Sequence, residues 1–203
     1  MITDARLARG RDQVEVIDAA IRGGATMVQL RDKELPTNEQ YALGLRLREL
    51  THRTGTTLIV NDRVDLALAI EADGVHLGQD DLPPPVARKL LGPDAILGVS
   101  AGNAAEYALV EREGADYLGT GPFATTRSKA DAGAAIGGAG IAAVRKLTTL
   151  PMVAIGGISA ANAAEAMRAG ADGVSVISAI VGAPDPEAAA RELRRIVERA
   201  ARH

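Results

Sequence analysis

Short apolar runs of three to five residues alternate with longer segments whose apolar residues recur every three or four positions, and the alternation persists along the whole chain. Runs of the first kind suit strands buried on both faces of a parallel sheet, and segments of the second kind suit amphipathic helices. Ile2-Thr3 predicts a minimal first strand, and Val14, Ile17, Ala20 and Ile21 a helical stripe. Residues 27–31 form the second predicted strand, after which Thr37 or Asn38 caps a helix carrying Leu43, Leu47 and Leu50. A third strand over 58–60 stops at Asn61-Asp62, followed by a short helix over 64–70 and a fourth strand over 75–77. Pro83-Pro84-Pro85 opens a helix running to residue 91. Strand 96–100, helix 104–112 and strand 117–120 come next, and residues 121–140 form a long loop rich in Gly, Ala and small polar residues. Helix 141–147, strand 152–155, helix 160–169 and strand 174–177 complete the count before a last helix with Leu193, Ile196, Val197 and Ala200 on one stripe.

A repeat supports this division. Gly24-Ala25-Thr26, Ala72-Asp73-Gly74, Gly114-Ala115-Asp116 and Gly170-Ala171-Asp172 each sit between a helix and an apolar strand. Each interval fits two strand-helix units, and the glycines suit helix C-terminal caps, where a left-handed backbone costs little. Eight strand-helix alternations predict a single α/β domain over residues 1–203, a (β/α)8 TIM barrel, with an open doubly wound sheet as the alternative. The first strand is unusually short. Either the chain begins inside it, or residues preceding Met1 in a related form are absent.

Composition narrows the function. In 203 residues, 23 Lys and Arg stand against 26 Asp and Glu, a net charge of −3 that argues against broad nucleic-acid binding. Aromatic residues are only 2%, too few for a stacking platform on single strands. The absence of cysteine excludes disulfides and thiolate metal sites. No apolar run approaches membrane-spanning length, and Met1-Ile2-Thr3-Asp4 does not read as a signal peptide, so no membrane partner and a cytoplasmic location are expected. Nothing here sets the oligomeric state, and a homo-oligomer is compatible with it.

Candidate chemistry collects where the predicted strands end, which in such a barrel is the catalytic rim. Gln29, Arg31 and Lys33 alternate so that one strand face carries all three. Later strand ends bring Asn61 and Asp62, then Gly78-Gln79-Asp80-Asp81, Ser100, Thr126-Arg127-Ser128-Lys129, Gly156-Gly157 and Ser178. Helix caps explain any one of these clusters, and for Asp62 a cap ahead of Val64 is the plain alternative, but caps do not require Arg31, Lys33 and Lys129 on one rim. Asp62 and Asp81 are hard oxygen donors suited to Mg²⁺, which takes few carboxylates and completes its shell with phosphate oxygens and water. Arg31, Lys33 and Lys129 suit a diphosphate, and together with a metal they would stabilise charge on a departing pyrophosphate. Gly156-Gly157 and the helical turn opening at Ile177-Ser178 suit a monophosphate held by backbone N–H groups. The two half-sites predict two phosphorylated small-molecule substrates. His76, inside its strand, reads as a packed or hydrogen-bonded histidine and is given no catalytic role.

At these residues the chain resembles the thiamine-phosphate synthase family. The likeness rests on Thr3-Asp4, Gln29-Leu30-Arg31-Asp32-Lys33, Val60-Asn61-Asp62, Gly74-Val75-His76-Leu77-Gly78-Gln79-Asp80-Asp81, Gly98-Val99-Ser100, Gly119-Thr120-Gly121-Pro122, Ala154-Ile155-Gly156-Gly157-Ile158 and Gly173-Val174-Ser175-Val176-Ile177-Ser178. It implies condensation of 4-amino-2-methyl-5-(diphosphooxymethyl)pyrimidine with a thiazole phosphate, giving thiamine phosphate and pyrophosphate. By position, Gln29, Leu30, Arg31, Asp32, Lys33, Asn61, Ser100 and Lys129 would hold the pyrimidine diphosphate, with Arg31, Ser100 and Lys129 acting in catalysis. Asp62 and Asp81 would bind Mg²⁺, and Thr126, Arg127, Ser128, Gly157, Ile177 and Ser178 the thiazole phosphate. The implied mechanism is dissociative: pyrophosphate leaves, the aminopyrimidine delocalises the charge, and the thiazole nitrogen attacks the methylene carbon. The chain departs from the family's loop at Thr125, where a proline is usual, and at Ser128, where a threonine is usual. A thiazole tautomerase and a non-catalytic phosphometabolite-binding barrel are the competing readings, and a tautomerase has no use for the diphosphate cluster.

Overall fold

The structure, a computed structural model, describes residues 1–126 and 133–201. Seven parallel strands form one sheet in sequential order: β1 (Met27–Leu30), β2 (Thr57–Asn61), β3 (Gly74–Leu77), β4 (Ile96–Ser100), β5 (Tyr117–Thr120), β6 (Met152–Ile155) and β7 (Gly173–Ser175). Helices connect them: α1 (Ala5–Ala8) and α2 (Gln13–Arg22) precede β1, and α3 (Thr37–Thr54), α4 (Val64–Ala69), α5 (Pro84–Leu91), α6 (Ala104–Arg112), α7 (Gly137–Arg145) and α8 (Ala163–Arg168) follow successive strands. After β7 come α9 (Ser178–Val181) and α10 (Pro186–Ala200), which packs against α2 and α8. Gly23 allows that approach, since a Cβ there would lie 2.3 Å from the Glu187 carbonyl oxygen.

The pleat sorts each strand into two sets. Val28, Leu30, Leu58, Val60, Val75, Leu77, Leu97, Val99, Leu118, Met152 and Ala154 belong to the core cluster shared with the helices. Their odd-phase neighbours, among them Met27, Gln29, Asn61, His76, Ser100, Tyr117 and Gly119, line a cavity of about 630 Å³ on the other side of the sheet. Near-continuous apolar runs therefore serve two faces with different tasks.

The predicted first strand is only a bridge. Ile2 pairs with Gln29, and its N–H donates to the Val176 carbonyl just beyond β7. Asp4 then accepts from the Leu7 N–H and starts α1, an unpredicted helix that turns the chain away from the sheet. Other expectations shift at element ends. Neither Thr37 nor Asn38 caps α3, because Pro36 occupies the cap position in extended geometry without a side-chain bond. The loop predicted to reach residue 140 gives way to α7 at Gly137. Tertiary anchoring overrides the poor helix propensity of its glycines, with the Ile136 and Gly137 N–H groups held by the Pro122 and Phe123 carbonyls. The helix predicted over 160–169 is the shorter α8. The last strand ends at Ser175, since the backbone at Ile177 (φ −115°, ψ −79°) already turns into α9.

The repeat is a structural device at the N-terminal end of the sheet. The N–H groups of Ala25, Ala72, Ala115 and Ala171 each reach back five residues, to the carbonyls of Ala20, Ala67, Val110 and Ala166. Gly24, Gly114 and Gly170 supply the left-handed residue as expected. In the Ala72 repeat Glu71 (φ +52°) does so instead, and Gly74 lies within β3, where a Cβ would be 1.9 Å from the Ile96 carbonyl oxygen. Asp73, Asp116 and Asp172 then accept from the N–H groups of Leu58, Leu97 and Met152 at 2.7, 2.7 and 2.8 Å. The same carboxylates pair with Arg48, Arg88 and Arg145, each on the helix leading into the strand it grips. Three strand starts are thereby held in register by one recurring clamp.

Candidate active site

The opposite end of the sheet is built from strand ends. The alternation along β1 and the residues after it puts Gln29, Arg31 and Lys33 on the cavity wall, as their spacing predicts. Thr3 anchors this stretch, its Oγ1 donating to the Arg31 carbonyl at 3.0 Å and accepting from the Arg31 N–H at 2.9 Å. The two residues between point elsewhere. Leu30 is buried in the core against α3, so only its backbone is available to a ligand. The Asp32 carboxylate accepts from the Glu34 and Leu35 N–H groups at 2.8 Å each, which closes the turn that follows.

Asn61 ends β2 and lines the cavity, and Asp62 follows in a left-handed conformation (φ +62°), a region that Asp tolerates better than most residues. Its N–H donates to the His76 carbonyl, and Arg63 rather than Asp62 occupies the cap position of α4. The cap explanation for Asp62 therefore does not apply. Its carboxyl instead meets that of Asp81, whose Oδ2 is held by the Gly78 N–H at 2.7 Å. Burial, then the hydrogen bond to Asp81 and its charge, push the Asp62 carboxyl up to about 6, while Lys33 and Arg31 act in the opposite direction. Two carboxyls held together in this way are a donor set that suits a divalent cation. Among the described residues no group of three or more His, Asp or Glu side chains converges, so a cation here would need oxygens from water or ligand.

A residue that the sequence did not single out ties two rim loops together. Glu106, in the first turn of α6, accepts from the Gln79 side chain at 2.6 Å and from the Gly102 N–H at 2.7 Å. These bonds, the Gly102 one first, hold its carboxyl below the ordinary glutamate range. The Asp81 loop and the Ser100 strand end are thus tied to one carboxylate. Ser100 lines the cavity with its Oγ 2.9 Å from His76 Nε2. His76 is hydrogen-bonded, as its place inside a strand suggests.

The second half-site lies after β6 and β7. Gly156 and Gly157 have φ +87° and +65°, and a Cβ on Gly157 would lie 2.7 and 2.8 Å from the Ala124 and Thr125 carbonyl oxygens. The loop after β5 packs directly on this turn, its Phe123 and Ala124 N–H groups donating to the Ile155 and Gly156 carbonyls. Glycine at 157 is required by that contact and by the positive φ, whether or not a phosphate approaches. Asn162 holds the turn from outside, donating to the Gly157 carbonyl at 2.9 Å and accepting from the Ser159 N–H at 2.8 Å. Ile177 lines the cavity, and Ser178 is the first, exposed residue of α9. Thr126 is the last described residue of the loop after β5, and Arg127, Ser128 and Lys129 lie outside the described residues.

Comparison with known proteins shows the family of the chain. The profile of the family described as thiamine monophosphate synthase matches residues 1–180. The chain is 56% identical over 200 residues to a thiamine-phosphate synthase of Moorella thermoacetica, covering 98% of this chain and 95% of that protein. It is also 56% identical over 197 residues to one of Chloroflexus aurantiacus, covering 97% and 91%. Among solved structures, a thiamine phosphate pyrophosphorylase from Pyrococcus furiosus superposes with a TM-score of 0.90 at 44% identity, covering 98% of this chain and 94% of that one.

Proposed function

The chain belongs to the thiamine monophosphate synthase family and is a thiamine-phosphate synthase, a transferase; from that premise we propose how its own residues divide the reaction. The pyrimidine diphosphate enters the cavity mouth, where Arg31 and Lys33 neutralise the diphosphate and Asn61 and Ser100 orient it. Lys129 joins this group in the same reading. Asp62 and Asp81 hold Mg²⁺, which when bound supplies positive charge against the phosphate oxygens of the leaving pyrophosphate. Gly157, Ile177 and Ser178 hold the thiazole phosphate together with Thr126, Arg127 and Ser128, and the ring nitrogen is presented to the methylene carbon from that side. Because the pyrimidine stabilises the developing cation, the protein needs no covalent nucleophile. Its work is to bind departing negative charge and to keep water from the carbon.

The observation that carries this reading is the Asp62–Asp81 carboxyl pair beside Arg31 and Lys33, two cations that line the cavity, a composition suited to a metal diphosphate. A full (β/α)8 barrel belongs to the same reading, with the segment around Ile2 as the eighth strand. Its bridge to Gln29 and its bond to Val176 support that closure. A cytoplasmic location also follows from it, since both substrates are charged phosphate esters, and no helix among the described residues is long and apolar enough to cross a membrane. The test is pyrophosphate release with both substrates and Mg²⁺. Stoichiometric pyrophosphate and thiamine phosphate are expected, with neither formed when thiazole phosphate is omitted. Binding of both ligands without turnover would leave a non-catalytic barrel, and interconversion of thiazole isomers alone would mark a tautomerase.

A further inference from the structure

Asn61, His76, Gly98 and Tyr117 fall in one register row across β2 to β5. Side chains in such a row point to the same face, so His76 and Tyr117 face the cavity from two strands apart with Gly98 between them. A Cβ on Gly98 would lie 2.1 Å from the Tyr117 ring, and one on Gly119, in the next row, 2.8 Å from His76 Cε1. These two missing side chains let the imidazole and the phenol meet across an intervening strand. His76 Nδ1 is 3.0 Å from the Tyr117 hydroxyl, and His76 Nε2 is 2.9 Å from Ser100 Oγ. Burial pushes the Tyr117 ionisation far above the ordinary tyrosine range, with the Gln29 side chain acting in the opposite direction, so it remains a neutral hydroxyl. Packing alone requires none of these bonds.

We propose that His76 and Tyr117 are positioning residues, a relay Tyr117–His76–Ser100 whose polarity fixes the Ser100 hydroxyl as a donor to the leaving diphosphate. The inference rests on the reading of Ser100 as a diphosphate contact. The chain of bonds can run in either of two directions, because each hydroxyl and ring nitrogen can give or accept. A diphosphate oxygen offers only acceptors, so the useful direction has Ser100 donating to the ligand and accepting from His76 Nε2–H. Nδ1 must then accept from Tyr117 O–H. The opposite direction would place Nδ1–H on His76 and direct the Ser100 proton away from the ligand.

The ring tautomer decides between them. In ¹⁵N-histidine-labelled protein, long-range ¹H–¹⁵N spectra should show His76, assigned by the signal lost in His76→Gln, as the neutral Nε2–H tautomer in the presence of pyrophosphate and Mg²⁺. A purely structural histidine has no reason to prefer that tautomer when pyrophosphate binds, and Nδ1–H would overturn the relay. In single turnover, Tyr117→Phe and His76→Leu should slow pyrophosphate release by roughly tenfold or more, with the thiazole-phosphate KM unchanged. His76→Gln, which keeps a donor toward Ser100, should recover part of that loss. Equal rates for the Gln and Leu variants in folded protein, judged by melting temperature, would reduce His76 to packing. If the parent protein releases no pyrophosphate, the active-site reading itself fails and takes the relay with it.

Discussion

The two ends of the sheet use the same residue types for opposite purposes. At the N-terminal end, Asp73, Asp116 and Asp172 each accept a strand N–H and pair with Arg48, Arg88 and Arg145, so every charge in the set is satisfied by the fold. At the C-terminal end, Asp62 and Asp81 face each other, and Arg31 and Lys33 line a cavity. Carboxylates in the first set have their counter-charge built in, and those in the second lack enough of it. A satisfied ion pair holds structure, whereas like charges held together store a preference for an incoming cation. The distinction is invisible in the charge count of the chain and follows from which end of a strand each residue occupies.

Substitutions at the two ends should therefore separate activity from stability. The largest expected effect is at the C-terminal end. Asp81→Ala should lower kcat/KM at limiting Mg²⁺ by roughly a hundredfold, equivalent to about 3 kcal/mol of transition-state stabilisation, while the melting temperature stays near that of the parent. Normal activity in a folded variant would remove Asp81 from the metal site. Gly157→Ala comes next and mixes the two kinds of effect. Its φ of +65° and the Ala124 and Thr125 carbonyls within 2.8 Å predict a loss of about 2 kcal/mol in chemical denaturation, together with a raised thiazole-phosphate KM. A stability loss with KM unchanged would assign this glycine to the loop contact alone.

At the N-terminal end, Asp73→Ala should cost about 1–2 kcal/mol of unfolding free energy, since it strands the Leu58 N–H and Arg48 together at a partly exposed position. Activity per folded molecule should not change, and a kinetic defect larger than the stability defect would break the contrast between the ends. The smallest effect concerns pH. Folding raises the Asp62 carboxyl from 3.8 to about 6, so the folded state binds the extra proton, and this group's contribution to stability is most favourable below pH 3.8 and is lost as pH rises through about 6. The full shift would amount to about 3 kcal/mol, but Asp62 is half-buried and faces two cations. We therefore expect metal-free Asp62→Asn to be about 1 kcal/mol more stable than the parent at pH 7.5. That gain should vanish below pH 4 in urea titrations, and a gain independent of pH would remove the charge explanation.

What the sequence determined by itself is the alternation of elements and the end of each strand where chemistry gathers. Parallel strands covered by helices need near-continuous apolar runs, and those runs are visible without a partner. That Arg31, Lys33, Asn61 and Ser100 sit at strand ends was legible because each lies at or just beyond such a run, and all four line the cavity. The Gly-Ala-Asp repeat was legible as a pattern, but the arginines that complete its clamps lie 25 to 28 residues away on helices and carry no local mark. Only the tertiary structure decided that Asp62 meets Asp81 instead of capping α4, that Leu30 and Asp32 turn away from the cavity, and that Gly157 answers to the neighbouring loop. It alone brought His76 to Tyr117 across Gly98, a contact between residues 41 apart. Local pattern is set by what each residue needs along its own strand or helix. Cross-strand register depends on how every strand stacks on the next, and no single segment contains that information.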